Sequence, residues 1–359
     1  WDQEGASSGA IALEFDHTSI FAGQDTFNFY LLLCLAMSAP GVCRLNGGAR
    51  LKSESMGFVS SVLSAFGARL VSLVPGSEGV PIRVEASGQI PQSLQIPESA
   101  PLELVLALLL WAPLWARAKG GFHLQMPTGL VATWAVDRIF PLWAQMGVKW
   151  NEDGRHLLLQ GQQLTVPYHP QIDLDPLLAG YVLAMPAFQG GRVRLYGEYP
   201  QRGVEREILK HVCHQAGLEL SLAEGRIQSV LGHARAQNLN IDCSLAPNFV
   251  PLALALAVAA GGESVICLDS GQDMDFAAHI LSGLNMESEQ RSAQELRIRP
   301  ARGRQQEPLA VTAPTACWGL GLALMALTGS RLSLKNPGAL TALWPQFWTL
   351  YKELPRPRV

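Results

Sequence analysis

The sequence predicts an α/β protein of two domains assembled from repeats, and three observations carry that prediction. An apolar helix-like run recurs about every 70 residues, beginning at Phe29, Leu104, Leu177, Phe249 and Trp318, and a fixed period of this kind marks a repeat architecture. Each run breaks at small residues, Pro or Gly and passes into a short strand-like stretch, as from Phe249 through Gly261 and Gly262 to Val265. With 359 residues the chain is too long for one ordinary core, so two domains are expected.

The elements of a unit follow in order. The apolar run is its first helix and the stretch after it a strand. A second, amphipathic helix comes next and ends in a small residue flanked by apolar ones, at Gly67, Gly147, Gly217 and, in the same place, Asn285. Glycine, and less often asparagine, is what a left-handed helix C-cap requires. Another strand follows, so each unit reads as helix, strand, helix, strand. One unit cannot bury both faces of its apolar helix, so first helices of several units are expected to pack together with strands outside.

Composition narrows the function classes. Apolar residues make up 48% and charged residues 16%, against about 25% charged in an ordinary soluble domain. The runs Glu103–Trp115 and Phe249–Ala260 carry few or no charges; they are roughly 12 residues long, short of the 20 or so that span a bilayer, and read as buried helices. No basic segment followed by an apolar core opens the sequence, so no leader and a cytoplasmic location are expected. Net charge is −3 with scattered basic residues, which argues against nucleic acid or an acidic membrane as partner.

Cys34, Cys43, Cys213, Cys243, Cys267 and Cys317 fall singly in mostly apolar surroundings and read as reduced core residues. Among His156, His169, His211, His214, His233 and His279, only His211 and His214 have a helical i, i+3 spacing. Without a third ligand they read as structural, and no metal or cofactor is expected. Trp111, Trp115 and Trp143 read as core filling.

The segments Arg44–Leu70, Ile241–Ile266 and Leu334–Leu354 resemble, in layout, parts of the enolpyruvyl transferase family, and the likeness extends from about Gly9 to Leu354. Within that family the chain looks most similar to the 5-enolpyruvylshikimate-3-phosphate synthase branch. The resemblance implies a two-domain inside-out α/β barrel of βαβαββ-type repeats, five of six units being visible. It places domains at 9–163 and 164–359, with the chain crossing between them. The first unit, with the family's Lys-Ser phosphate motif, is the one expected to be missing. That would leave an apolar flank for a protein partner or a second copy to close.

Carried over residue by residue, the resemblance implies a stripped catalytic apparatus. The family's catalytic aspartate falls on Asn248, after Pro247, and an amide takes up no proton at neutral pH. Its His-Arg pair falls on Ala316 and Cys317, its C-terminal lysine on Ala342, and its phosphoenolpyruvate-binding arginine on Glu54. The Ser-Ser-Gln that contacts shikimate phosphate falls on Pro101, Leu102 and Glu103. Of its Lys-Glu-Thr-Asp-Arg stretch, Gln272 and Asp273 remain in place but no cation. Two anionic substrates need guanidinium or ammonium groups to offset their charge.

The polar residues that persist are the candidate ligand contacts: Arg50, Lys52, Asp173, Asp175, Asp242, Asn248, Gln272 and Asp273. Asp173, Asp175 and Asp242 would also serve as ordinary helix caps. The leading reading is a non-catalytic or repurposed protein that binds a small, less anionic molecule. One alternative is an enzyme of different chemistry on a cyclic or carboxylated metabolite in the cleft between domains. Another is a 3-phosphoshikimate 1-carboxyvinyltransferase completed by a separate chain.

Overall fold

The computed structural model describes residues 15–23, 25–48, 51–52, 57–76, 79–165, 172–200, 203–232, 237–268, 271–301 and 308–354, with the backbone alone at 130, 131, 133, 134, 271–273 and 342. The chain falls into two compact units, Trp1–Pro170 and Gln171–Val359.

The first unit holds two copies of one topology. The first runs β1 (Phe15–Phe21), α1 (Thr26–Ser38), β2 (Pro40–Asn46), α2 (Val59–Ala65), β3 (Ala68–Ser72) and β4 (Ile82–Ser87). The second runs β5 (Ser93–Gln95), α3 (Leu102–Lys119), β6 (Gly121–Gln125), α4 (Leu130–Gln145), β7 (Trp150–Asp153) and β8 (His156–Gln160). Their sheets have the matching orders β1-β2-β4-β3 and β5-β6-β8-β7. The first two strands of each copy are parallel and the rest antiparallel, since a helical crossover joins the former, while the last two are joined directly, by residues 73–81 in the first copy and by Gly154 and Arg155 in the second. Helices α1 and α3 pack together, and Trp115 on α3 donates its Nε1–H to Ser38 Oγ at the end of α1 across 2.8 Å.

In the second unit the pattern continues with α5 (Pro176–Leu183), α6 (Met185–Gln189), β9 (Arg192–Tyr196), α7 (Val204–Gln215), β10 (Leu218–Ala223) and β11 (Arg226–Leu231). Next come β12 (Asn240–Asp242), a 3-10 turn (Pro247–Phe249), α8 (Val250–Ala260), β13 (Ser264–Cys267), α9 (Gly271–Gly283), β14 (Met286–Ser292) and β15 (Glu295–Pro300). The chain then forms β16 (Leu309–Val311), α10 (Ala316–Ala326), β17 (Leu332–Leu334), α11 (Gly338–Leu343) and α12 (Phe347–Glu353). The β12-β13-β15-β14 sheet repeats the strand order of the first unit.

Burial explains why helices lie inside and sheets outside. Every residue from Val250 to Ala257 of α8 is buried, as expected of a helix that is apolar all round. The strands alternate instead: β8 buries Leu157 and Leu159 and leaves Leu158 and Gln160 exposed, so one sheet face meets water. Inner helices α8 and α10 touch closely, because a Cβ on Gly321 would stand 2.6 Å from that of Pro251. The expected C-caps hold: Gly67, Gly147, Gly217 and Asn285 all have positive φ, between 60° and 72°. The four-element reading of a unit missed a strand before the first helix and the hairpin partner at its end. These strands are short, and three residues such as Ser93–Gln95 carry too little alternation to be read from sequence.

All six cysteines are free, four of them buried. Trp115 and Trp143 are 1% exposed and sit in aromatic clusters with Phe66, Phe122, Phe140 and Trp150, which is the core filling expected of them. Among the described residues, no helix is long and apolar enough to cross a membrane.

Candidate functional site

Two helix starts of the second unit meet at one tyrosine hydroxyl carried by a third helix. Tyr181 lies within α5 and is 1% exposed. Its Oη is 3.1 Å from the carbonyl oxygen of Asn248, in the turn before α8, and 3.1 Å from that of Cys317, in the first turn of α10. A phenol in an otherwise apolar helix needs a polar partner once buried, and two other repeats supply it. The hydroxyl has a single proton, which the two carbonyls share. Burial, and then Cys317 and Cys243 beside it, push the phenol well above its ordinary range, so it stays a neutral donor.

Asp175 caps α5, its Oδ1 accepting from the Leu177 and Leu178 amides at 2.8 and 3.0 Å. Its charge reaches Cys317: burial chiefly, then Asp175, pushes that thiol up to about 11. A thiol raised in this way stays protonated at neutral pH and is a weak nucleophile. Thr315 closes the start of α10 by accepting from the Trp318 amide at 3.3 Å.

Asp242 ends β12 and accepts from the Ser244 amide at 2.9 Å, a local turn of the Asx kind. Its charge adds to burial in raising the Cys243 and Cys267 thiols. Asp173 is exposed and is raised by partial burial and by Glu198 beside it. Asn248 presents its backbone to Tyr181 while the residue as a whole is exposed. Gln272 and Asp273 fall in the opening turn of α9, described for their backbone alone. Lys52 belongs to the first unit and is exposed. Arg50 and Glu54 lie outside the described residues.

The cluster that forms is therefore Asp175, Tyr181, Asn248 and Cys317. Among the described residues, none of the four is paired with a cationic side chain. What it offers chemically is a carboxylate, an amide, a neutral thiol and a neutral phenol. In the first unit, Pro101 precedes α3, with Leu102 and Glu103 in its opening turn. Pro101 has neither hydroxyl nor amide hydrogen, and the Glu103 carboxylate would repel a phosphate.

Tyr181 was not among the residues singled out from sequence. The signal was available, since it is the one polar-tipped side chain in the apolar run Leu177–Leu183. The other missed feature is a contact in the first unit between His123 and His156, whose ring nitrogens lie 2.9 Å apart. His211 donates its Nε2–H to the Asn240 carbonyl at 3.0 Å. Among the described residues, no group of three or more His, Cys, Asp or Glu is placed to hold a metal ion. A hollow of about 360 Å³ beside β14 is lined by Glu287, Glu289, Arg297 and Arg299. Its arginines are engaged, Arg297 with Glu263 at 2.5 Å and Arg299 with Glu287 at 2.8 Å, so it presents no open cationic site.

No protein-family model matches the chain. The 3-phosphoshikimate 1-carboxyvinyltransferase of Shewanella sp. (strain MR-7) is 31% identical over 169 residues, covering 46% of this chain and 38% of that enzyme. That of Shewanella halifaxensis is 25% identical over 232 residues, covering 64% of this chain and 52% of the enzyme. The matches thus span about half the length of these curated relatives or less. Among solved structures, EPSP synthase from Acinetobacter baumannii superposes with a TM-score of 0.68 at 17% identity, over 95% of this chain and 80% of that one. The enolpyruvyl transferase NikO from Streptomyces tendae gives 0.66 at 16% identity, over 91% and 76%. The fold is that of the enolpyruvyl transferases.

Proposed function

Taking as premise an EPSP synthase-like chain with the enolpyruvyl transferase fold, we propose that it binds a small molecule of low negative charge and does not transfer enolpyruvyl groups. The observation that carries this is the Tyr181 cluster. The position matching the family's catalytic aspartate is an amide, Asn248, and the position matching its arginine is a thiol, Cys317, held neutral by burial and by Asp175. A transfer between two phosphorylated, carboxylated substrates needs a group to move a proton and cations to hold the charge. Asp175, whose charge is felt at Cys317, works against the second requirement, since a carboxylate repels an incoming phosphate.

The ligand class follows from the same groups. A carboxylate cap, an exposed amide and backbone carbonyls suit a neutral or cationic molecule rich in hydroxyl or amino donors.

The test is phosphate release by the full chain given phosphoenolpyruvate and shikimate 3-phosphate. Release at background level is expected. Turnover on the order of 1 to 1000 per second would overturn the proposal. Turnover that appears only after adding a short chain of about one repeat would favour a transferase completed in trans.

A further inference from the structure

Two imidazoles stand against each other on the outer face of a sheet in the first unit. His123 on β6 and His156 on β8 approach through Nε2 and Nδ1 at 2.9 Å. Their ring centroids are 5.0 Å apart and their planes differ by 29°. The register makes the contact a product of the fold: His123 faces Leu158 and Gln125 faces His156 across the antiparallel pair, so the two histidines are diagonal neighbours on one face. Phe122, Leu124, Leu157 and Leu159, pointing the other way, are at most 3% exposed and anchor both strands to the core. The rings themselves are half-buried and open to water.

The separation has a chemical meaning. Imidazole nitrogens sit about 2.05 Å from a bound divalent ion. Two of them at right angles around it are therefore about 2.9 Å apart, and at a tetrahedral angle about 3.3 Å. The observed spacing is that of neighbouring positions in a square-planar or octahedral shell, which Cu(II) and Ni(II) favour, and Cu(II) leads the affinity order for nitrogen ligands. Without an ion, one N–H···N hydrogen bond holds the pair. Binding needs both facing nitrogens bare, so the bridging hydrogen shifts to the far nitrogen of its own ring and the pair loses no net proton.

We propose that His123 and His156 form a two-imidazole site for a divalent transition-metal ion, Cu(II) above the others. Water fills the remaining positions, since no cluster of three protein ligands exists among the described residues. The site is independent of the Tyr181 cluster, and its test is independent of any enzymatic assay.

The full chain is titrated with copper sulfate in a non-coordinating buffer and followed by calorimetry and electron paramagnetic resonance. The expected result is one tight equivalent whose spectrum shows coupling to two imidazole nitrogens. His123→Gln and His156→Gln, each checked for an unchanged melting temperature, should weaken that equivalent at least tenfold, about 1.4 kcal/mol, and leave one nitrogen. His279→Gln should change neither. A wild-type spectrum with a single imidazole nitrogen would overturn the proposal, as would wild-type affinity in a folded His123→Gln or His156→Gln chain.

Discussion

The Tyr181 hydroxyl lies 3.1 Å from the Asn248 carbonyl oxygen, tying the middle of α5 to the turn that opens α8. The same proton is shared with Cys317, so one phenol links three repeats of the second unit. Tyr181→Phe keeps the ring and deletes only the link. The expected loss is about 1 kcal/mol, within 0.5–1.5, the net worth of a hydrogen bond between neutral groups. Urea denaturation measures it, and an unchanged midpoint would mean that the carbonyls find equivalent partners without the phenol. Tyr181→Ala also opens a cavity and should cost about 3 kcal/mol or more.

Asn248→Asp places a carboxylate at the position onto which the resemblance carries the family's catalytic aspartate. If, as proposed, the site offers no cations to an anionic substrate, that single change leaves phosphate release from phosphoenolpyruvate and shikimate 3-phosphate at background. The physical reason is that a second carboxylate joins Asp175 at the same helix starts and raises the repulsion felt by an anionic substrate. A variant that turns over both substrates would place the defect in the base alone.

Parts of this architecture were legible in the sequence because they rest on long, one-sided signals. The inner helices announce themselves as uncharged runs, and Gly67, Gly147, Gly217 and Asn285 mark helix ends because left-handed backbone restricts the choice of residue. Short strands and the outer hairpins were not legible, since each strand spans only three to seven residues. Of the candidate site, Asp175, Asn248 and Cys317 were singled out from the sequence. That Tyr181 joins them depends on pairing across 67 and 136 positions, which no local pattern encodes. The same holds for His123 and His156, 33 positions apart. Their meeting is set by strand register and not by a ligand spacing.

Cys317 should react with iodoacetamide very slowly at neutral pH. Its thiol is raised from 9.0 to about 11, so the labelling rate should climb about tenfold per pH unit and level off only near 11. The linkage has a definite sign. The folded state holds this proton more tightly than the unfolded state, so the associated stability is full below pH 9 and declines as pH rises towards 11. Peptide mass spectrometry of alkylated protein gives the rate. A plateau below pH 9 would show that Cys317 is not held as buried as described. Cys34, fully enclosed and raised by burial further still, should label only on unfolding.

Gly321 tests whether the inner helices are packed as tightly as the fold requires. A Cβ there would stand 2.6 Å from Pro251 Cβ and 2.7 Å from the Pro251 carbonyl oxygen. The obstacle is proline ring and backbone, neither of which can swing aside, so α8 and α10 must separate to admit even one methyl. Overpacking of this kind costs typically 1–3 kcal/mol. Gly321→Ala should therefore lower the melting temperature of the second unit by about 2–4 °C per kcal/mol lost, and Gly321→Val by more. Gly338 is the internal control: it opens α11, and nothing lies within 4 Å of its Cβ position. With no clash to relieve and less backbone freedom in the unfolded chain, Gly338→Ala should be neutral or stabilising by about 0.4–1 kcal/mol. Equal losses at both positions would mean that α8 and α10 do not depend on this close approach.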